Sequence, residues 1–187
     1  MSGRFDVTGT SLPGVSLIAR KPVVDERGWL ERMFCTTDLA KVLGSRSVVQ
    51  VNRTFTRARA TVRGMHYQLP PSAEAKLVSC LRGRIFDVAV DLRRDSPTFL
   101  RWHGELLSEE NHRSLFIGEG FAHGFQALVD DCELLYVHTA AYEPAAERAV
   151  HPLDPRVAIA WPLAVADLSE RDAAHPPLGP GFDGIVV

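Results

Sequence analysis

Four side chains spread through the middle of the sequence could share one chemistry. In Val62-Arg63-Gly64-Met65-His66-Tyr67-Gln68 a histidine sits between an arginine and a glutamine on a stretch that otherwise suits a core strand, and Lys76 follows in Ala75-Lys76-Leu77-Val78. His123 stands in Glu119-Gly120-Phe121-Ala122-His123-Gly124-Phe125, and Tyr136 in Glu133-Leu134-Leu135-Tyr136-Val137-His138. Imidazole titrates near working pH and is the usual general base. A nearby ammonium can stabilise an oxyanion that develops during reaction, and a phenol can donate a proton. Each residue also has a plain structural reading: a satisfied core histidine, a strand-edge lysine in water, a tyrosine with a buried ring and a wet tip. Polar groups facing an apolar interior cost a few kcal/mol each unless paired, so a cluster of them asks for a use. A metal site is the other chemistry to weigh, and it needs three or four converging N/O ligands. Here Gln68 stands where an H-x-H pair would place its second histidine, and a protonated Lys76 repels a cation. No cofactor is implied.

These groups need walls to stand on, and strand signals dominate the chain. Residues 75–80 and 84–92 flank Arg82-Gly83, where glycine supplies the positive φ of a tight turn. In the second run Ile85, Asp87 and Ala89 alternate with Phe86, Val88 and Val90, nearly apolar on both faces, as in a sandwich. Further strands are expected over 47–53, 99–107, 114–117, 124–129 and 133–139, separated by turn chemistry such as Arg94-Asp95-Ser96-Pro97 and Asp130-Asp131. One helix is expected near the front, capped by Thr36 or Thr37, striped by Leu39, Val42 and Leu43, and ended by Gly44. The tail, 166–184, is rich in Pro, Gly and charge and is expected to wrap the surface, with a short turn at 168–173. The pattern predicts an all-β fold over residues 1–187 as one domain, a β-sandwich or jelly-roll barrel with a few short peripheral helices. Such a barrel has a mouth where a small ligand can sit.

Composition narrows the partners. A net charge of −2 leaves no electrostatic footprint for nucleic acid or an anionic membrane. The apolar runs are too short to span a bilayer, and the N-terminus, Met1-Ser2-Gly3-Arg4-Phe5-Asp6, lacks the apolar stretch of a secretory signal. Cys35, Cys80 and Cys132 are scattered and odd in number, which predicts buried free thiols in a reducing cytoplasm.

Ordered motifs carry a resemblance beyond these patterns. They run through Asp25-Glu26-Arg27-Gly28, Gln50-Val51-Asn52, Arg63-Gly64-Met65-His66-Tyr67-Gln68, Ala75-Lys76-Leu77-Val78 and Phe86-Asp87-Val88-Ala89-Val90-Asp91-Leu92-Arg93. They continue through Ser96-Pro97-Thr98-Phe99, Leu107-Ser108-Glu109-Glu110-Asn111, Glu119-Gly120-Phe121-Ala122-His123-Gly124-Phe125, Ile159-Ala160-Trp161-Pro162 and Leu168-Ser169-Glu170-Arg171-Asp172. In these the chain resembles the dTDP-4-dehydrorhamnose 3,5-epimerase family, nucleotide-sugar epimerases with a cupin-type jelly roll.

The resemblance implies roles. His66 and Asp172 would form the base dyad, Lys76 would face the sugar's 4-keto oxygen, and Tyr136 would return a proton from the opposite face. Arg27, Gln50, Asn52, Arg63, His123, Glu147 and Arg171 match positions that contact nucleotide or sugar, and Tyr142 a tyrosine that stacks on thymine. The substrate would be a dTDP-linked 4-keto-6-deoxy sugar, and the assembly a homodimer. The strand-like runs of residues 15–34, which need a partner edge, agree with a dimer. Three departures from the family's pattern stand out: Arg32 where many members have glutamate, Val137-His138 where a lysine and a small polar residue are frequent, and Gly118 where proline is usual. The first two alter charge near the expected ligand. A metal-dependent cupin enzyme and a non-catalytic nucleotide-sugar binder remain the competing functions.

Overall fold

A strand whose two faces are both apolar needs cover on both sides, and the architecture supplies it. The computed structural model describes residues 3–187; Met1 and Ser2, the start of the N-terminal stretch read above, lie outside the described residues. The chain forms β1 (Phe5–Gly9), β2 (Val15–Arg20), β3 (Val23–Asp25), β4 (Gly28–Leu30), β5 (Gln50–Thr56), β6 (Val62–Gln68) and β7 (Lys76–Arg82). It continues with β8 (Arg84–Asp91), β9 (Trp102–Ser108), β10 (Arg113–Ile117), β11 (Phe121–Ala127), β12 (Cys132–His138) and β13 (Glu147–Ala149). A six-stranded sheet runs β1-β2-β10-β7-β12-β5, and a five-stranded sheet β13-β6-β11-β8-β9 faces it; β3 and β4 make a separate hairpin. The result is the expected all-β jelly roll.

Three apolar layers hold it. Val78, Ile85, Ala89, Phe125 and Leu134 pack between the sheets. On the outer face of the five-stranded sheet, Met65, Val88 and Val90 lie under Trp161, Leu178 and Phe182 of the C-terminal tail. On the outer face of the six-stranded sheet, Leu77, Phe116 and Val137 lie under Leu39 and Leu43. The two-faced apolarity of β8 thus has a cause on each side: the opposite sheet and the tail.

Some local expectations are revised. Arg82-Gly83 does not close a hairpin within one sheet, because β7 and β8 belong to different sheets; the turn, with Gly83 at φ +79°, carries the chain across the sandwich. The helix is shorter than its apolar stripe suggested. It covers Ala40–Leu43 with Leu39 at the N-cap and no side-chain cap bond, since residues 36–39 form a turn in which the Leu39 N–H donates to the Cys35 carbonyl. Gly44 ends it as expected. Strand β13 was not anticipated: Glu147-Arg148-Ala149 carries no strand signal of its own and joins the sheet by pairing along β6. The tail turn is a four-residue helix, α2 (Glu170–Ala173).

Candidate active site

In a regular strand, residues three apart face opposite sides. Arg63 and His66 nevertheless line the same cavity of about 250 Å³, because β6 is bulged. Phe125 pairs with Arg63 and His123 with His66, so three steps of β6 oppose two of β11. Gly64 takes φ +127°, and a Cβ there would lie 2.5 Å from the Gly124 Cα and 2.7 Å from the His123 carbonyl oxygen. Gly64→Ala is therefore expected to cost about 3 kcal/mol or more, strain plus backbone clash. Denaturant melts check it, and a variant as stable as the parent would show that the bulge yields freely.

The expected dyad of His66 and Asp172 is assembled from distant parts of the chain. Asp172 sits in α2, where the Ser169 hydroxyl accepts its N–H at 3.0 Å. Its carboxylate meets His66 Nε2 at 2.7 Å and accepts the Gly64 N–H at 3.3 Å. Burial opposes ionisation of Asp172, but the bond and charge of His66 with the Gly64 and Ser169 contacts outweigh it and hold the carboxyl below its usual range. A carboxylate only accepts, so Nε2 carries the proton and Nδ1 is the basic nitrogen. The His66 side chain is 32% exposed and that of Asp172 5%, an open imidazole on a buried carboxylate.

The other wall is the six-stranded sheet. On β12, Tyr136 lies opposite Asn52 and Val78, and His138 opposite Gln50 and Lys76. Burial pushes the Tyr136 hydroxyl well above the usual phenol range, the Asp87 charge adds to this, and Thr54 and Arg63 oppose it. This phenol holds its proton until a strong base asks for it. Lys76 is buried, and its Nζ is 2.8 Å from Glu74 Oε1, while Glu74 Oε2 meets His138 Nδ1 at 2.7 Å. Burial works against ionisation of Glu74, but His138 and Lys76 bring its carboxyl down to about 2. His123 Nε2 is held by buried Asp87 at 2.7 Å, and its ring meets Tyr136 edge-on at 5.8 Å.

The rim gathers most of the remaining expected residues. Tyr142 is 51% exposed, and its hydroxyl donates to Glu147 Oε2 at 2.7 Å. Arg171 pairs with the same carboxylate, and the Gln50 side-chain oxygen accepts the Tyr142 N–H at 3.0 Å. Asn52 and Arg63 line the cavity. Arg27 does not join them: it sits on the turn of the β3–β4 hairpin, paired with Asp25 at 2.6 Å and with its side chain 84% exposed. Gln68 has a structural task. It is buried, donating to the Ser72 and Ala141 carbonyls and accepting the Glu143 N–H, and so fixes the loop that carries Tyr142.

The departures separate cleanly. Val137 faces the outer apolar layer and cannot alter charge in the cavity. Arg32 pairs with Asp38 at 3.1 Å and does not line the cavity of its own chain. The Gly118 N–H donates to the Gly14 carbonyl at 2.9 Å, a bond proline could not make. Only His138 lines the cavity. Glu74, Asp87 and His138 were missed as site residues, although each had a signal. Glu74 lies two places from Lys76 and His138 two from Tyr136, and Asp87 is a charge between Ile85 and Ala89 in an inward-facing apolar register.

Residues 9–179 match the family model of dTDP-4-dehydrorhamnose 3,5-epimerase. The enzyme of that name from Salmonella typhimurium is 40% identical over 172 residues, covering 91% of this chain and 93% of the relative. A dTDP-4-dehydrorhamnose 3-epimerase from Streptomyces niveus is 38% identical over 161 residues, covering 86% and 78%. Among solved structures, the 3,5-epimerase of Legionella pneumophila in complex with dTDP-4-keto-L-rhamnose superposes with a TM-score of 0.86 at 40% identity, covering 91% of this chain and 90% of that one. A bulged strand that aims a carboxylate-held histidine at a lysine and a tyrosine across the barrel is thus accompanied by likeness along nearly the whole sequence, and the chain belongs to the dTDP-4-dehydrorhamnose 3,5-epimerase family.

Proposed function

We propose that the chain epimerises a dTDP-linked 4-keto-6-deoxy sugar at C3, C5 or both, in deoxysugar biosynthesis. The observation that carries this is the placement of His66 and Tyr136 on opposing sheets with Lys76 beside Tyr136. His66 Nδ1 removes the proton from a carbon next to the 4-oxo group; the C–H pair becomes the double bond from that carbon to C4, and the C4–O π pair moves onto oxygen. The Lys76 ammonium stabilises the resulting enolate oxygen. As the enolate collapses, the Tyr136 hydroxyl gives its proton to the other face of the carbon, which inverts it. His66 loses its proton and Tyr136 regains one through water, so no redox partner is consumed and no cofactor is needed. Arg63 and Arg171 suit the diphosphate, for which the guanidinium fork offers paired donors. Tyr142 offers a ring face to the base, and Asn52, His123, Gln50 and Glu147 complete the binding surface. With a dTDP-4-keto-6-deoxy sugar in deuterated water, label should enter at C3, C5 or both; no exchange with any such sugar would defeat the reading.

The assembly we propose is a homodimer. Val24, Trp29 and Leu30 of the β3–β4 hairpin are 73%, 63% and 67% exposed, apolar surface that a second copy would cover. In that dimer Arg27 serves the partner's site. Light scattering at micromolar concentration should give twice the chain mass, and a monomer would count against both statements. Among the described residues no helix is long and apolar enough to cross a membrane; three free thiols and a nucleotide-sugar substrate support a cytoplasmic place of action.

A further inference from the structure

Glu74 and His138 take no part in the proton relay, yet they touch the residues that do. His138 is the cross-strand partner of Lys76, which puts the two Cβ atoms about 5 Å apart. Its ring lies nearly parallel to that of Tyr136, 16° between planes and 5.8 Å between centres. Nδ1 is engaged by Glu74 at 2.7 Å, whereas Nε2 is buried and has no partner among the described residues. An orphaned buried nitrogen on a cavity wall needs an explanation, because leaving it unmet is costly. Its chemistry follows from the other nitrogen. Glu74 can only accept there, so the proton is on Nδ1 and Nε2 presents a lone pair.

We propose that His138 is a further substrate-contacting residue whose Nε2 accepts a hydrogen bond from the sugar hydroxyl neighbouring the oxo group, with Glu74 fixing the tautomer. The inference rests on the epimerase reading. An uncharged hydroxyl is the donor that suits a lone pair beside a lysine, because a cationic group would be repelled by Lys76. If Lys76 faces the oxygen at C4, the adjoining carbon that bears a hydroxyl is C3. His138 then favours sugars that keep this hydroxyl over 3-deoxy sugars, and it lies on the wall that donates the returning proton.

Two substitutions divide the ring's nitrogens. His138→Asn keeps a donor near Nδ1 for Glu74 but loses the atom at Nε2, whereas His138→Gln reaches the Nε2 position and gives up the Glu74 bond. Asn is expected to raise KM for the dTDP-4-keto sugar about tenfold, the worth of one hydrogen bond, and to leave the Kd for dTDP unchanged. Gln is expected to restore most of the loss. The parent enzyme should bind the 3-deoxy analogue about tenfold more weakly than the 3-hydroxy sugar, and this preference should vanish in the Asn variant. The parent comparison needs no variant to fold. Equal binding of the two sugars by the parent would overturn the proposal, as would a parental Asn variant beside an impaired Gln variant, which would mean the ring only holds Glu74. A parent that neither binds nor turns over any dTDP-4-keto sugar would overturn the epimerase reading itself; a parent that turns over while showing no preference overturns the His138 contact alone.

Discussion

Tyr136→Phe is expected to keep deuterium exchange running while net inversion falls by about two to four orders of magnitude, the usual worth of a positioned general acid. The substitution removes one oxygen and leaves the ring that packs edge-on to His123 and parallel to His138. Abstraction by His66 proceeds from the opposite wall, and His66 can return deuterium to the face it came from. What the variant lacks is a proton on the far side. Stability should change by no more than about 1 kcal/mol, so a structural role predicts intact inversion and a catalytic role predicts exchange without it. NMR of substrate recovered from deuterated water reads both quantities at once. Inversion at the parental rate would remove Tyr136 from the mechanism.

His66→Ala should abolish exchange and inversion together, by about four orders of magnitude, because His66 is the open imidazole of that wall while its neighbour His123 is buried against Asp87. Affinity for dTDP should stay within about twofold, since arginines and the Tyr142 ring hold the nucleotide end. The side effect falls on Asp172. Its carboxylate keeps the Gly64 N–H and its backbone N–H keeps the Ser169 hydroxyl, but the carboxylate loses the imidazole, which should lower stability by about 1–3 kcal/mol. Titration calorimetry with dTDP, beside the exchange assay, separates the roles. A folded variant that loses both activity and dTDP affinity would make His66 chiefly a binding residue.

How far these residues could be read from the sequence depends on how local their signals are. β7, β8 and β12 announced themselves by alternation and by turn residues, and with them the inward faces that carry Lys76 and Tyr136. Arg63 and His66 did not read as neighbours on one face, since only the bulge at Gly64 turns a spacing of three into a shared direction. The helix cap at Thr36 or Thr37 misread a turn that closes through backbone groups instead. His138 follows from the period of two once Tyr136 is in place, but a lone His in a strand gives no reason to look, and Glu74 lies just before β7, where no period applies. Arg27 carries a strong motif yet stands exposed in its own chain, and the use we propose for it depends on a second copy that one sequence does not display. Asp172 was legible only through the family's pattern, since nothing local ties a carboxylate in a Pro- and Gly-rich tail to a histidine in β6.

That distance has a consequence for how activity arises as the chain folds. His66 and Asp172 are 106 positions apart, and joining them requires closure of a long loop, a step that comes late when local pairings form first. The sandwich can assemble with its lysine, tyrosine and Arg63 in place while His66 still lacks Asp172, and Arg171 arrives with the same helix. Completion of the tail layer, with Phe182 and Leu178 seated over β6 and β8, then acts as an authentication step. A chain interrupted before residue 172 would hold a sugar nucleotide yet be slow to deprotonate it, and turnover would report on whether the last stretch of polypeptide has docked.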